Sequence, residues 1–189
     1  MVATRRFAGM FFGLLFVLLL VLGIGGCAPT SVGSSVVQKN AESEQQTIVA
    51  CTDLVLDYAL YRDQLDVESF VALFTREARL SVQGKTFVGT DAIRARLQGA
   101  KRGPKTRHLM STIRISPVSA NRATGISYVT VYAGSAALQE KARQQEGELE
   151  AVNGFAMIGN YIDEFERTPE GWRIASRRLE GAFRDASFQ

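Results

Sequence analysis

Histidine and cysteine are scarce in this chain of 189 residues, which has one histidine and two cysteines. Zinc sites in proteins draw most of their ligands from these two residue types. No group of His, Cys and Asp stands at metal-ligand spacing, and no motif for an energy-rich cofactor is present. We therefore expect a protein that uses no metal and no cofactor.

The first 26 residues lack acidic side chains and have the order of an export signal. Two arginines near the start precede an uncharged, Leu-rich run over residues 7–24, as in a secretory signal peptide. A run of this length approaches a membrane span, so a retained membrane anchor is the alternative. The run ends in Ile-Gly-Gly-Cys, which resembles the bacterial lipobox. The sequence thus predicts a lipoprotein signal peptide over 1–26 and a lipid-modified Cys27 as the first mature residue.

The mature chain has almost no net charge. Removal of residues 1–26 discards two arginines, which leaves 20 of the 22 basic side chains against 19 acidic ones. No basic cluster with interleaved aromatics is present, so we expect no nucleic-acid partner. The expected partner is a membrane, bound through the lipid on Cys27 outside the cytoplasm. Ala28 stands where inner-membrane lipoproteins of enteric bacteria have Asp, which favours the periplasmic side of the outer membrane.

The mature chain divides into a tether and one domain. Residues 28–44 are rich in Ser, Gly, Gln and Val, and we expect them to follow Cys27 as a flexible tether. Residues 45–189 have the usual size of one domain with one core. The predicted division is therefore 1–26, 27–44 and 45–189.

The first part of that domain has helical periodicity. Apolar residues recur at spacings of three and four and predict a helix from about Glu42 to Arg62. Cys51 falls on the apolar side of this helix, where a small buried residue is a more ordinary interpretation than a nucleophile. Asp66 is expected to cap a short second helix. A small hairpin and a third helix capped by Thr90 follow.

The second part is strand-like. Four long segments, 106–118, 122–133, 155–168 and 171–183, are rich in β-branched and aromatic residues. A charged segment over 136–150 interrupts them and is expected to be a solvated helix or loop. Helices followed by long strands predict an α+β fold, in which about three helices pack on one face of a curved antiparallel sheet. Such a sheet can wrap into a cone with a pocket in its mouth.

Local sequence patterns occur in the same order in a known family. Over residues 47–183, the chain resembles the SnoaL-like branch of the nuclear transport factor 2-like superfamily. The resemblance rests on the following residues: Tyr58, Arg62-Asp63, Asp66, Phe70, Leu73-Phe74-Thr75, Ala78, Gly84, Gly89, Ile93, Thr106-Arg107-His108-Leu109, the run from Gly159 to Thr168, and Gly171-Trp172-Arg173-Ile174. It implies a cone-shaped α+β domain and is compatible with a homodimer through the outer face of the sheet. Members include dehydratases, isomerases, hydrolases, cyclases and proteins without activity, so the fold alone assigns no function.

The resemblance also implies a set of catalytic residues, which are Tyr58, Asp63 and His108 in this chain. A carboxylate bonded to one imidazole nitrogen orients the ring, so that the other nitrogen can move a proton beside a carbonyl. A nearby tyrosine hydroxyl can polarise that carbonyl. The alternatives are ordinary: His108 can be a solvated residue at the start of a strand, Asp63 a surface charge or helix cap, and Tyr58 a core residue.

Four further residues are predicted to bind a ligand. Strand alternation puts Met110 and Thr112 on the same side as His108. Arg177 or its neighbour Arg178 could face the pocket, and only one of the two can do so. The strand that contains Tyr132 lacks the second acid or histidine of the family pattern, and Tyr132 is the substitute donor there.

Two functions remain open from the sequence. One is a membrane-tethered module that binds a small hydrophobic ligand or docks envelope partners without catalysis. The other is a cofactor-free dehydratase or isomerase that uses Asp63 and His108 on a small carbonyl compound. The enzyme requires these two side chains to lie within hydrogen-bond distance.

Overall fold

A computed structural model describes residues 32–100, 105–134 and 154–186, with side chains from residue 43 onward. Within these ranges, an α+β fold combines three helices with one six-stranded sheet. The elements in chain order are α1 (Val32–Gln64), α2 (Val67–Ala72), β1 (Phe74–Val82), β2 (Lys85–Val88), α3 (Gly89–Ala100), β3 (Thr106–Ser119), β4 (Arg122–Ala133), β5 (Met157–Thr168) and β6 (Gly171–Arg184). The predicted fold class is confirmed, and the four long strands lie within two residues of their predicted bounds.

The first helix is longer than its periodicity predicts. Helix α1 begins at Val32, so the flexible tether predicted up to residue 44 is wrong for residues 32–44, which are helical. Once the buried part of the helix has formed, each further residue adds a backbone hydrogen bond without a new nucleation cost. No proline or glycine follows Gly33 to interrupt this extension. The polar composition of residues 32–44 indicated only that this segment has too few apolar residues to form a core of its own. Such a segment can still be helical when it continues a helix that is packed.

The short elements form as their local signals predict. Asp66 caps α2, because its carboxylate accepts a hydrogen bond from the backbone N–H of Ser69 at 3.2 Å. Strands β1 and β2 form the expected hairpin, and both turn residues, Gln83 and Gly84, have positive φ. Two residues of this kind make a turn whose twist matches that of the flanking strands.

The sheet has the strand order β2-β1-β6-β5-β4-β3. Four of its five pairings are antiparallel, whereas β1 runs parallel to β6. The sheet is therefore curved and mixed rather than wholly antiparallel. Register shifts in β3 and β6 mark bulges, which bend strands and increase their twist.

Helix α1 lies against the inner face of this sheet, where the core forms. An aromatic cluster occupies its centre and contains Tyr58, Phe70, Phe74 and Tyr161, with ring centroids 4.9 to 6.2 Å apart. Cys51 is fully buried in the same core. Burial, helped by the negative charge of Asp163, raises the pKa of the Cys51 thiol to about 12. Since the thiolate is the reactive form, this thiol is inert at neutral pH.

Several predictions concern residues outside the described ranges. The signal peptide over 1–26, the lipidated Cys27 and the charged segment over 136–150 all lie there. Among the helices that the structure describes, none has the length and apolarity that crossing a membrane requires.

Candidate active site

Asp63 and His108 are in direct contact. Asp63 Oδ1 lies 2.6 Å from His108 Nδ1, and Asp63 Oδ2 accepts a hydrogen bond from the backbone N–H of His108 at 2.7 Å. Asp63 Oδ1 also accepts a hydrogen bond from the hydroxyl of Thr106 at 2.9 Å. The side chains of His108 and Asp63 are only 9% and 10% exposed. Residues 45 positions apart in the sequence thus form one buried, hydrogen-bonded pair.

The local structure of two elements explains this contact. Asp63 lies in the last turn of α1, which ends at Gln64. Leu65 follows with φ of 57°, and the N–H of Asp66 donates a hydrogen bond back to the carbonyl of Tyr61. His108 is the third residue of β3, which is an edge strand. An edge strand has backbone N–H groups without a neighbouring strand. Asp63 satisfies one of these groups and so fixes the end of the helix against the start of the strand.

These contacts determine the protonation of the pair. Burial raises the pKa of the Asp63 carboxyl, but the hydrogen bonds and charge of His108, together with the hydroxyl of Thr106, outweigh it and lower the pKa below its ordinary value. The carboxylate can only accept hydrogen bonds, so His108 Nδ1 carries the hydrogen between them. The lone pair of His108 Nε2 then remains available as a base.

The register of the sheet shows which side chains share the face of His108. His108 lies opposite Val131 and Met110 lies opposite Val129, and directly opposed residues point to the same side. Val129 is fully buried and Met110 packs against the core. Met110 therefore lies on the same face as His108, and its contact with a ligand stays a prediction.

Two predicted ligand-binding residues are not near His108. Tyr132 pairs with Arg107, so it lies on the opposite face of the sheet from His108. Thr112 lies in a bulge where the register shifts between Ser111 and Arg114, has φ of 48° and is exposed. The alternation that predicted its placement fails because a bulge reorients the strand. Neither residue joins His108 on the inner face.

Tyr58 and Arg177 lie in the core, in a second polar cluster. Arg177 is fully buried and binds Asp163 through two hydrogen bonds, Nε to Oδ1 at 2.7 Å and Nη2 to Oδ2 at 2.6 Å. Its guanidinium carbon lies 4.2 Å from the ring centroid of Tyr58 and 4.5 Å from that of Tyr161. Burial opposes the charge of Arg177, but its pairing with Asp163 raises its pKa. As predicted, only one of the two adjacent arginines faces inward, since Arg178 is exposed.

Sequence reasoning missed Thr106, Asp163 and Ser127. Asp163 alternates with Tyr161 and Phe165, which are both buried. An acid in the middle of an inward-facing series is a signal that could have found it. Thr106 and Ser127 have no comparable sequence signal. Among the described residues, no group of three His, Cys, Asp or Glu side chains could hold a metal ion.

The fold agrees with what comparisons with known proteins show. A sequence model of the SnoaL-like domain matches residues 43–178, so the chain belongs to the SnoaL-like domain family. No curated protein matches the sequence.

Many solved structures share the fold. Rv3472 of Mycobacterium tuberculosis, a protein of unknown function, is 25% identical, with a TM-score of 0.62 over 73% of each chain. A candidate scytalone dehydratase from Novosphingobium aromaticivorans is 21% identical, with a TM-score of 0.61 over 76% of this chain and 89% of that one. A type 2 hexachlorocyclohexane dehydrochlorinase, LinA, is 17% identical, with a TM-score of 0.60 over 74% of this chain and 87% of that one.

Proposed function

We propose that this protein is a cofactor-free enzyme that moves a proton next to a carbonyl or a comparable activating group, as a dehydratase or isomerase does. The 2.6 Å contact between the buried side chains of Asp63 and His108 carries this proposal. A histidine on the surface would form its hydrogen bonds with solvent. His108 is instead bonded to a buried carboxylate, which accepts three hydrogen bonds in all. The substrate class is a small, largely apolar compound, because Met110 and Val129 share the face of His108.

The reaction begins when His108 Nε2 takes a proton from a substrate carbon. The electrons of the broken C–H bond move into a new C=C bond, and negative charge develops on the carbonyl oxygen. Asp63 stabilises the imidazolium that forms. In isomerisation, the same nitrogen returns the proton to another carbon. In dehydration, the carbonyl re-forms and the electrons of the C=C bond shift to make a double bond between the α and β carbons. The C–O bond at the β carbon breaks as the same nitrogen delivers the proton to the departing hydroxyl group, which leaves as water.

The similar structures support this direction. A dehydratase and a dehydrochlorinase both remove a hydrogen and a leaving group from neighbouring carbons, which requires a base of the kind that His108 provides. Tyr58 is the residue expected to polarise the carbonyl. Its hydroxyl interacts with that of Tyr161, which lies in the same cluster. Its role in polarising the substrate remains a prediction.

A second candidate function is ligand binding without turnover. It is favoured by the inner face of β4, where Ser127, Val129 and Val131 offer no second acid or histidine. An enzyme of this design has a single residue to act as both base and acid. A protein that only binds its ligand needs no second acid or histidine.

A proton-exchange experiment separates the two functions. The full-length chain is incubated in D2O with 2-decalone, and exchange of the α-hydrogens is followed by NMR. We expect the wild type to accelerate exchange, and His108→Ala to lose about 100-fold or more of that acceleration. Ser116→Ala, which changes an exposed residue of β3, is the control and should keep the full rate. Binding of the ketone with equal exchange in wild type and His108→Ala would refute the enzyme and favour the binding module.

We also propose that the protein works at the cell envelope, tethered through lipid on Cys27. The order of charged, apolar and small residues before Cys27 supports this location. Such a location favours substrates that dissolve in or pass through the envelope.

A further inference from the structure

Arg62 is a half-buried cation on the inward side of α1, directly before Asp63. It follows Tyr58 by four residues, so the two side chains lie on the same face of the helix, one turn apart. Tyr58 is 2% exposed and belongs to the core. Arg62 nevertheless forms no hydrogen bond or ion pair with any described residue. Arginine is seldom buried without a partner, so its position requires an explanation.

Arg96 on α3 is a second cation in this region. It flanks the buried side of α3, which Ile93 and Leu97 form, and is itself half-buried. Its guanidinium carbon lies 5.5 Å from the ring centroid of Phe87. Arg94 on the same helix forms an ion pair with a glutamate, whereas Arg96 has no acidic partner among the described residues.

The two guanidinium groups act on each other and on the same tyrosines. Burial lowers the pKa of the Arg62 guanidinium below its ordinary value. The side chains of Tyr58, Asp63 and Tyr161 oppose this effect, and the positive charge of Arg96 adds to it. Burial raises the pKa of Tyr161, and Arg96 is among the cations that oppose this rise. Because charge effects fall off with distance, α1 and α3 bring their two arginines to one region beside the tyrosines.

The acids of this region are already engaged by other groups. Asp63 accepts three hydrogen bonds and orients His108, and Asp163 is paired with Arg177. Two like charges that lack a counter-ion in a partly buried region repel each other, and a ligand anion would remove this repulsion. Both arginines on α1 and α3 keep part of their surface in solvent, so a ligand can reach them without opening the core.

We propose that Arg62 and Arg96 bind a carboxylate group of the substrate beside the pair of Asp63 and His108. The planar carboxylate matches the fork of N–H donors on a guanidinium. A single negative charge fits better than a phosphate dianion, because Asp63 is the next residue of α1 and is itself negatively charged. This proposal deepens the proposed function and rests on it for the site. The substrate is then a small keto acid with an apolar body, which contacts the face of Met110.

Two probe ligands of the same shape test this contact by affinity rather than turnover. They are 4-oxocyclohexanecarboxylate and its carboxamide, and binding to the full-length chain is measured by calorimetry at neutral pH. We expect the carboxylate to bind about tenfold more tightly than the carboxamide, since charge-assisted hydrogen bonds are stronger than neutral ones. Equal affinities of the two probes would overturn the proposal. Inorganic phosphate that binds more tightly than the carboxylate would overturn it as well.

The variant Arg62→Met removes the charge and keeps an unbranched side chain. We expect it to lose most of the preference for the carboxylate and to bind the carboxamide as the wild type does, which reports an intact site. Arg96→Met should act in the same direction and decides the question alone if Arg62→Met does not fold. Arg94→Met is the matched control on α3, because that cation is already paired with Glu68, and it should keep the full preference.

Full preference in both Arg62→Met and Arg96→Met would contradict the proposal, as would an equal loss in Arg94→Met. The preference should also persist in His108→Ala, in which the base is absent and both arginines remain. Because affinity is measured without turnover, a failure of the proton-exchange experiment would refute the enzyme and leave the carboxylate contact intact.

Discussion

At the scale of single residues, two aspartates perform different tasks, Asp63 at the end of α1 and Asp163 in β5. Asp63 accepts three hydrogen bonds from Thr106 and His108 and has a side chain that is 10% exposed. The side chain of Asp163 is fully buried and forms an ion pair with Arg177. The first carboxylate orients a base, whereas the second holds a cation in the core. Their environments predict different responses to pH and to mutation.

The variant Asp63→Asn tests the first carboxylate through the pH dependence of stability. The folded pKa of Asp63 is lower than the unfolded value of about 3.9, so its stabilising contribution is present above that pH and is lost as the pH falls through the folded pKa. We expect the variant to be about 1–3 kcal/mol less stable than the wild type at pH 7 in urea unfolding. The difference should shrink below about pH 4. Asp53→Asn, an exposed change on the same helix, should show no such pattern. A difference that stays constant down to pH 2.5 would contradict this prediction.

The pair of Arg177 and Asp163 should respond strongly to the loss of one partner. Asp163→Ala leaves a buried guanidinium without its counter-ion, and we expect a loss of about 3–5 kcal/mol in the free energy of unfolding. The double variant Asp163→Leu with Arg177→Met should recover much of that loss, because no charge remains buried. Arg178→Ala removes an exposed ion pair with Glu180, two residues further along β6. This change should lower the free energy of unfolding by less than about 1 kcal/mol. Equal losses from Asp163→Ala and Arg178→Ala would refute this account.

At the scale of elements, one helix and one strand pair position the site. The end of α1 carries both Tyr58 and Asp63, so its docking sets the two polar clusters relative to each other. Strands β5 and β6 carry Asp163 and Arg177 in direct register. Register shifts in this strand pair lie between Glu164 and Phe165, next to Asp163, and between Ile158 and Gly159. Gly159 lies opposite Val129, which shares the face of His108, so the approach of the two strands there supports the apolar side of the site.

Replacement of Gly159 by alanine tests that approach. A Cβ at this position would lie 2.4 Å from the backbone oxygen of Glu180, so the two strands would have to separate. We expect Gly159→Ala to lower the free energy of unfolding by roughly 1–3 kcal/mol. Gly181 lies opposite Gly159 in register, and a Cβ there meets nothing within 4 Å. Gly181→Ala is thus the matched control, and a cost equal to that of Gly159→Ala in thermal or urea unfolding would disprove the steric explanation.

At the scale of the whole molecule, the sheet and α1 enclose the polar groups in an apolar core. Strand β1 reaches the far side of β6 through a parallel pairing, in which Leu80 lies opposite Arg177. This pairing covers the cluster of Arg177 and Asp163 from one side, and Tyr58 on α1 covers it from another. Burial of a charged pair at 0% exposure depends on all these layers together.

The predicted membrane tether is also a property of the whole chain. Growth of a bacterium that expresses the full-length protein with labelled palmitate should label the protein, and Cys27→Ser should abolish the label. Cys51→Ser changes the other cysteine and should keep it, since that thiol is buried and inert. Label that persists in Cys27→Ser, or is lost in Cys51→Ser, would contradict lipidation at Cys27.

The sequence by itself determined the elements and their order. Periodicities of two and of three to four report which side of a strand or helix is apolar, so they located the long strands and the capping role of Asp66. The resemblance to a family, carried by Tyr58, Asp63 and His108, was enough to predict the pair of Asp63 and His108. These signals are local in the sequence or rest on the resemblance.

Only the tertiary structure decided the rest. The parallel pairing of β1 with β6, the bulge that exposes Thr112 and the burial of Arg177 against Asp163 all depend on contacts between distant segments. Thr106 became a candidate for function only when the fold brought it to Asp63. The periodicity of apolar residues shows which face of a helix or strand is buried. Which residues that face contacts depends on strand register and on how the whole sheet packs on α1.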